Sequence, residues 1–537
     1  MRFRPSSSYN ADRKIWSGGK KDLYFDPQLS IGQIIFHEMR RHPQLIAQIS
    51  ATENTILTRQ ELHANSMRVA SYMRSLGLLQ SDVVGIIARN TTHMFAVVYA
   101  CFFNGIAFHS LNIQYEKSTI EKLFDITKPK IIFCDGDEFE KVRSATSHMD
   151  VKLITMRNHP SDSIRIDEVL ATPIEENFQP ARLEQGNDQT LAILCSSGTT
   201  GTPKAVTITN SRQIFNCADL LTSNDVQYTH STLDWISGLL TTVTSGVCST
   251  KRIIADNVFD PAFLMRLIEE HQITWILQPP SQMAMMTNSP AFGTCDLSSI
   301  RFYFYGGSRA SVETQHKMRS RLSKDCLHFA YGFTEIGSMA SINYHFDEKP
   351  NSVGRLVSGM KLKVISEKGE SLGPDEVGEL CIRNDQFWSG YYNNPEESHQ
   401  IRDQQMWFHT GDLGYVDDDG FIYIVERQKD MLKYQNIMYY PNDIEAVISM
   451  MPDVAEVCVF GVWDQLVGDK AAAAVVKKHG STLTAQDVVD YVASHIDAKY
   501  MQLNGGVIIV DDLKRSPNGK TNRMATKAYF LEVKSTN

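Results

Sequence analysis

The chain has no Cys-x-x-Cys pair, although it holds nine cysteines. Spread from Cys101 to Cys458, they fit neither a disulfide framework nor a zinc cluster and read as reduced, buried thiols. There is no basic run: 53 Lys and Arg against 62 Asp and Glu leave a net charge of -9, which excludes a nucleic-acid partner. No apolar stretch reaches the roughly 18 to 20 residues that span a bilayer, so no transmembrane segment is expected. The longest, Met94 to Phe108, is interrupted by Asn104 and Gly105 and predicts a buried helix. Met1 to Asn10 lacks the apolar core of a secretion signal, and no repeat or low-complexity tract is present. What remains is a globular composition, 42% apolar and 21% charged, over 537 residues. At about 150 residues per domain, that length calls for more than one compact unit.

Short apolar runs, among them Val83 to Ala88, Lys130 to Cys134 and Leu191 to Cys195, alternate with helix-length amphipathic stretches. This alternation predicts layered α/β structure with largely buried strands. The polar segment Ala171 to Gln189 reads as a surface linker. From Val377 the texture changes to short strands, and Val416 to Phe421 reads as a hairpin in which Asp419-Gly420 supplies the turn with positive φ. A boundary near Glu426 gives a large N-terminal α/β domain, 1–425, and a smaller C-terminal α+β domain, 426–537.

The strongest chemical signal is Ser196-Ser197-Gly198-Thr199-Thr200-Gly201-Thr202-Pro203-Lys204, directly after the strand ending at Cys195. Two glycines permit a tight turn that aims backbone N–H groups inward, the Ser and Thr hydroxyls add donors, and Lys204 supplies a charge. Such a loop suits a polyphosphate. It is not a Walker A loop, and neither is Asn518-Gly519-Lys520-Thr521, because Lys514 stands where the first glycine is required.

The loop, together with segments in matching order along nearly the whole chain, resembles the adenylate-forming superfamily, and within it acyl-CoA synthetases of the insect luciferase and 4-coumarate-CoA ligase type. The other segments are Tyr305-Gly306-Gly307-Ser308, Tyr331-Gly332-Phe333-Thr334-Glu335, Gly390 to Glu396, His409-Thr410-Gly411-Asp412, Glu426-Arg427, Lys433 and Gly519-Lys520. The resemblance implies ATP, Mg²⁺ and coenzyme A as cofactors and a fatty or aryl carboxylic acid as substrate. It also implies site residues. Ser196, Ser197, Gly198, Thr199, Thr200, Gly201 and Lys204 would cradle pyrophosphate, and Glu335 would ligate Mg²⁺ with Thr334 on the α-phosphate. Gly306, Gly307, Ser308, Tyr331 and Gly332 would receive adenine, and Asp412 and Arg427 the ribose. Lys520 would serve adenylation and Lys433 thioester formation, in a C-terminal domain that swings about Glu426.

Three residues depart from the family pattern. Ala205 follows the loop lysine where glycine is usual, placing a methyl where backbone approaches phosphate. Asn436 replaces another glycine after Lys433. Trp235, with Gly238 in Leu233-Asp234-Trp235-Ile236-Ser237-Gly238, stands where luciferases carry a His-containing motif, and would gate the space between acyl pocket and thiol tunnel. Apolar residues from Leu233 to Val247 favour a fatty or aryl acid. The alternatives are a luciferase-like oxygenase and a catalytically impaired nucleotide or acyl binder. The last residues are Ser535-Thr536-Asn537 rather than a Ser-Lys-Leu address, so the cytosol is the expected location, with the peroxisome left open by the family. Oligomeric state is not encoded in any of these features.

Overall fold

The structure is a computed structural model. It describes residues 7–196, 203–216, 221–308, 310–323, 325–427, 430–434, 437–464, 467–516 and 519–536, without the side chains of 215, 216, 426, 427, 438, 535 and 536. The phosphate loop from Ser197 to Thr202 and Asn436 therefore lie outside the described residues.

Two sheets carry the layered α/β part. The first orders Lys204–Thr209, Thr190–Ser196, Ala107–Ser110, Val83–Ile87, Ile131–Cys134, Lys152–Thr155 and Ile164–Arg165 side by side. All its pairings are parallel except that of Thr190–Ser196 with Lys204–Thr209, the hairpin that brackets the phosphate loop and sets Ser196 opposite Lys204. Its apolar runs are uninterrupted because both faces are covered. The second sheet has nine strands, with Val226–Tyr228, Trp275–Gln278, Phe302–Gly306 and Leu327–Phe333 parallel neighbours within it.

Helices fill the space between these sheets. Every residue of Met94–Asn104 is buried, as its composition predicts, and Gly105 ends the helix at φ 68. Ile31–Arg41 and Arg59–Ser75 start on capping boxes, Ser30 with Gln33 and Thr58 with Glu61, which satisfy the orphan N–H groups of the first turn. Their apolar faces join Ile86, Phe108, Leu191 and Ile254 in one core that touches both sheets.

The change of texture near Val377 marks a third, antiparallel sheet that includes Met360–Ile365, Gly378–Asn384, Phe408–Val416 and Ile422–Arg427. The hairpin forms as expected, with Gly420 at φ 80. Glu426 and Arg427 are its last two residues, paired with Leu413 and Asp412. The fourth sheet begins at Leu432–Tyr434 and has its own core around Val459, Ala473 and Val488. This is a mixed α/β molecule with a large N-terminal and a smaller C-terminal part. Among the described residues no helix is long and apolar enough to cross a membrane.

Candidate active site

In open α/β sheets the ends of parallel strands leave a crevice at their carboxyl edge. Phe302–Gly306 and Leu327–Phe333 run parallel, with Gly306 opposite Ala330, and deliver Gly307, Ser308, Thr334 and Glu335 to one cavity of about 1130 Å³. Gly306 is there because a Cβ would stand 2.2 Å from the Ala330 carbonyl oxygen. Gly332 is needed for the same reason, since its Cβ would stand 2.5 Å from the Ser338 oxygen. Ser196, Lys204, Tyr331, Asp412 and Lys520 line the same cavity.

The cavity wall carries two hydrogen-bonded carboxylates. Asp412, buried on Phe408–Val416, accepts the Tyr331 hydroxyl at 2.6 Å. Glu335, 7% exposed in a single 3₁₀ turn, accepts the Tyr391 hydroxyl at 2.7 Å. Burial, and then the Glu335 charge, push the Tyr391 phenol up, so it stays a donor. Lys204 reaches the other side of this group: its ammonium lies 5.1 Å from the Tyr391 ring centre and 3.2 Å from a Glu397 oxygen. Behind it the buried Arg212 donates to the Glu335 carbonyl and, at 3.0 Å, to that of Phe387. Burial, and then the neighbouring Arg402, pull Arg212 down to about 9, with Glu335 opposing; it remains a cation at neutral pH. No sequence pattern singles out Glu397 or Arg212, and Tyr391 falls within the segment Gly390 to Glu396 without a role of its own.

Lys520 comes to the cavity from the C-terminal part. Its turn is closed by Ser516, whose N–H donates to the Lys520 carbonyl at 2.8 Å and whose carbonyl accepts the Gly519 amide at 2.8 Å. Gly519 adopts φ 78, as a tight tip requires. A Cβ at Gly307 would stand 2.7 Å from Lys520 Cε and 3.0 Å from its Nζ, so the lysine end fills the place that a side chain would take. Lys433 is exposed on its hairpin strand and does not line the cavity. Its backbone N–H donates to Asp469 at 3.1 Å. The Arg427 side chain lies outside the described residues.

At the other end Trp235 caps the helix Ile236–Cys248 and lines the cavity half-buried with Ile236, Ser237 and Leu240. The preceding Asp234 is buried and accepts Asn112 Nδ2 at 3.0 Å and Thr232 Oγ1 at 2.5 Å, which holds the turn; burial pushes its carboxyl up. His230 and Phe259 complete this wall in an edge contact of 5.4 Å between ring centres, and burial pulls His230 down to about 4.

Three sequence expectations are corrected. Gly238 does not line the cavity: a Cβ would stand 2.1 Å from the Thr232 carbonyl oxygen, so glycine serves the fold of the turn. Of the apolar residues from Leu233 to Val247, Leu239, Val243 and Val247 belong to the core shared with Ile35, and their hydrophobicity says nothing of the acid. Ala205 points its methyl into an apolar group with Val83, Ala107 and Ile193, where it serves as core.

Beside Asp412, His409 Nδ1 lies 2.9 Å from Glu379 Oε2 and 3.7 Å from Cys381 Sγ. Hydrogen bonding to the Cys381 sulfur and the Glu379 carboxylate holds the imidazole up at about 10.

Comparison with known proteins agrees with this architecture. Residues 35–392 match the model of the family "AMP-binding enzyme", and residues 443–520 that of "AMP-binding enzyme C-terminal domain". The chain is 27% identical to a luciferin 4-monooxygenase of Photinus pyralis, over 97% of this chain and 98% of that one. It is 30% identical to 4-coumarate--CoA ligase 3 of Arabidopsis thaliana, over 87% of this chain and 85% of that one. Among solved structures, the anthranilate CoA ligase AuaEII with anthranoyl-AMP superposes with a TM-score of 0.84 at 18% identity, over 94% and 98% of the two chains.

Proposed function

Because the chain belongs to the AMP-binding enzyme family, we propose that it is an acid-thiol ligase that joins a fatty or aryl carboxylic acid to coenzyme A through an acyl-AMP. A carboxylate is a poor electrophile. In the first half-reaction a carboxylate oxygen attacks the α-phosphorus of ATP and the bond to pyrophosphate breaks. In the second, the thiol sulfur of CoA attacks the acyl carbon, the bond to AMP breaks, and the thiol proton is released.

One observation carries this reading: the Lys520 ammonium stands at Gly307, in the cavity bounded by the Asp412–Tyr331 and Glu335–Tyr391 pairs. Anion meets anion in the first half-reaction, so a preorganised cation is where stabilisation is greatest. Lys520 bridges the carboxylate and the α-phosphate. Thr334 donates to that phosphate, and Lys204 with the Ser196–Lys204 loop holds the departing pyrophosphate. Asp412 and Arg427 hold the ribose hydroxyls, while Gly306, Gly307, Ser308, Tyr331 and Gly332 form the adenine wall. Glu335 fits Mg²⁺, being a hard carboxylate on the cavity wall that accepts a hydrogen bond from Tyr391 on one of its two oxygens. When bound there, Mg²⁺ offsets phosphate charge.

Lys433 serves the second half-reaction after the C-terminal domain, 426–537, turns about Glu426. Lys520 lines the cavity and Lys433 does not, so the two lysines serve it in different poses of that domain. Trp235, Ile236 and Leu240 with Phe259 make the acid end of the cavity apolar, which supports a fatty or aryl acid. The test is release of pyrophosphate and AMP from ATP across a panel of acids, with and without CoA. Acid-dependent pyrophosphate release followed by CoA-dependent AMP release is expected; neither, with any acid, would refute the reading.

The luciferin 4-monooxygenase relative favours a second reading, a luciferase-like oxygenase. Light from the chain with luciferin, ATP, Mg²⁺ and oxygen would establish it in place of the ligase.

A further inference from the structure

Glu379 and Cys381 stand two residues apart on the strand Gly378–Asn384 and so share a face, and Cys381 pairs across the ladder with His409. One ligand atom from each, a carboxylate oxygen, a thiol sulfur and an imidazole nitrogen, lies within 4.8 Å of the others. Zinc bonds of about 2.3 Å to sulfur and about 2.0 to 2.1 Å to nitrogen or oxygen, in a tetrahedron, put nitrogen about 3.5 Å from sulfur and about 3.3 Å from oxygen. The observed separations from His409 Nδ1 are 3.7 Å to Cys381 Sγ and 2.9 Å to Glu379 Oε2. Both separations from the imidazole nitrogen lie within about 0.4 Å of those values, and the carboxylate and thiol come within 4.8 Å of each other. Both strands belong to one antiparallel pair, which sets Cys381 opposite His409, and a register shift between Glu379 and Cys381 bulges the partner strand at Thr410 to Asp412.

We propose that Glu379, Cys381 and His409 form a binding site for one divalent transition cation of the zinc class. Sulfur and imidazole donors select such a cation over Mg²⁺ or Ca²⁺. Water from the cavity supplies the fourth ligand, since Glu379 and His409 line the cavity wall while Cys381 is fully buried behind them. Lys363 is turned to Asp403 at 3.6 Å, and Asp403 also approaches the far nitrogen of His409 at 3.7 Å. At that distance the carboxylate adds negative charge beside the ring without a hydrogen bond to it. The other oxygen of Glu379 accepts the Gly411 N–H at 3.1 Å, so the cation ties the segment that carries Asp412 to the neighbouring strand. A second group, Glu121, Asp125 and His148, is more exposed and has no sulfur, and it serves as the control.

The full-length chain, stripped with a chelator, is titrated with Co²⁺ and then with Zn²⁺ against a chromogenic chelator; neither readout uses activity. The expected result is one equivalent of cobalt with a thiolate-to-cobalt charge-transfer band, displaced by zinc. Cys381→Ser should abolish the band and weaken zinc by more than the roughly 10- to 100-fold that loss of an outer partner costs. His409→Gln should weaken it likewise, and His148→Ala should leave it unchanged. The site is refuted by absence of the band in the wild-type chain, by its persistence in folded Cys381→Ser, or by zinc binding that only His148→Ala removes. The wild-type spectrum alone decides against it if no variant folds.

Discussion

Gly307→Ala tests the placement of Lys520 without touching the lysine. The residue sits at φ 91, and an alanine Cβ would stand 2.7 Å from Lys520 Cε and 3.0 Å from Nζ. Two costs follow, and they separate. A left-handed backbone costs an L-residue about 1 to 2 kcal/mol, which appears in a melting curve. The contact itself costs little stability, because the atom in the way is the end of a flexible side chain. Ordinary carbon contacts lie at about 3.5 to 4.0 Å, so the lysine end must retreat by about 1 Å. A misplacement of that size costs up to about 10²-fold in rate where geometry is preorganised. Complete removal by Lys520→Ala sets the ceiling at about 10²- to 10³-fold, as for other single charge donors. Acid-dependent ATP–pyrophosphate exchange should therefore fall by about 10²-fold in Gly307→Ala, while thioester formation from supplied acyl-AMP changes by a few fold at most. In the Lys520→Ala background the same substitution should add almost nothing, because both act on one group. Equal loss in the two half-reactions, or full additivity in the double variant, would refute the role given to Lys520.

Lys433→Ala should leave pyrophosphate exchange near wild type and block transfer to CoA; failure of both lysine variants at the same half-reaction would remove the two-pose reading. Tyr391→Phe deletes the 2.7 Å hydrogen bond to Glu335 and should raise the KM for MgATP about 5- to 10-fold, as expected for loss of about 1 to 1.5 kcal/mol; an unchanged value would detach Glu335 from the nucleotide. Trp235→Ala should shift the preferred acid toward bulkier chains and raise acyl-AMP hydrolysis, since each methylene accommodated is worth about 1 to 3 kcal/mol; the same acid profile in a folded variant would reject the gate. His109 is fully buried and burial pulls it down to about 3, so between that value and the unfolded value near 6.5 the unfolded chain binds the extra proton. Its contribution is complete above pH 6.5 and about 2 kcal/mol is lost by pH 5; urea melts should show that slope reduced in His109→Gln, and an identical slope would refute it.

The fold was legible where burial leaves a linear trace. Strands covered on both faces must be apolar throughout, so Val83–Ile87, Ile131–Cys134 and Thr190–Ser196 stood out as runs; Met94–Asn104, buried on every side, did so as well. The hairpin at Gly420 was legible because one backbone conformation demands one residue type. Apolarity does not say what covers it, and there the reading failed: in Ile236–Cys248 most of the apolar face meets Ile35 and its neighbours, and only the first turns meet the cavity. Ala205 was misread for a related reason, since a strand residue next to a loop points to whichever face the pleat dictates.

The site divides along the same line. Residues at strand ends, such as Gly306, Gly307 and Thr334, sit next to one another in sequence because the sheet delivers them together, and short motifs can carry them. Their partners come from across the molecule. Tyr391 is 56 residues from Glu335, and Cys381 meets His409 only through the register of a ladder. No local pattern encodes such a register, because every residue two positions along a strand shares the same face. Cross-strand neighbours decide which carboxylate is held, which thiol has a histidine beside it, and how the segment bearing Asp412 is fixed. Changes at Glu379, Cys381 or Tyr391, which have no obvious place in a polyphosphate motif, should therefore alter nucleotide handling as surely as changes within the motifs themselves.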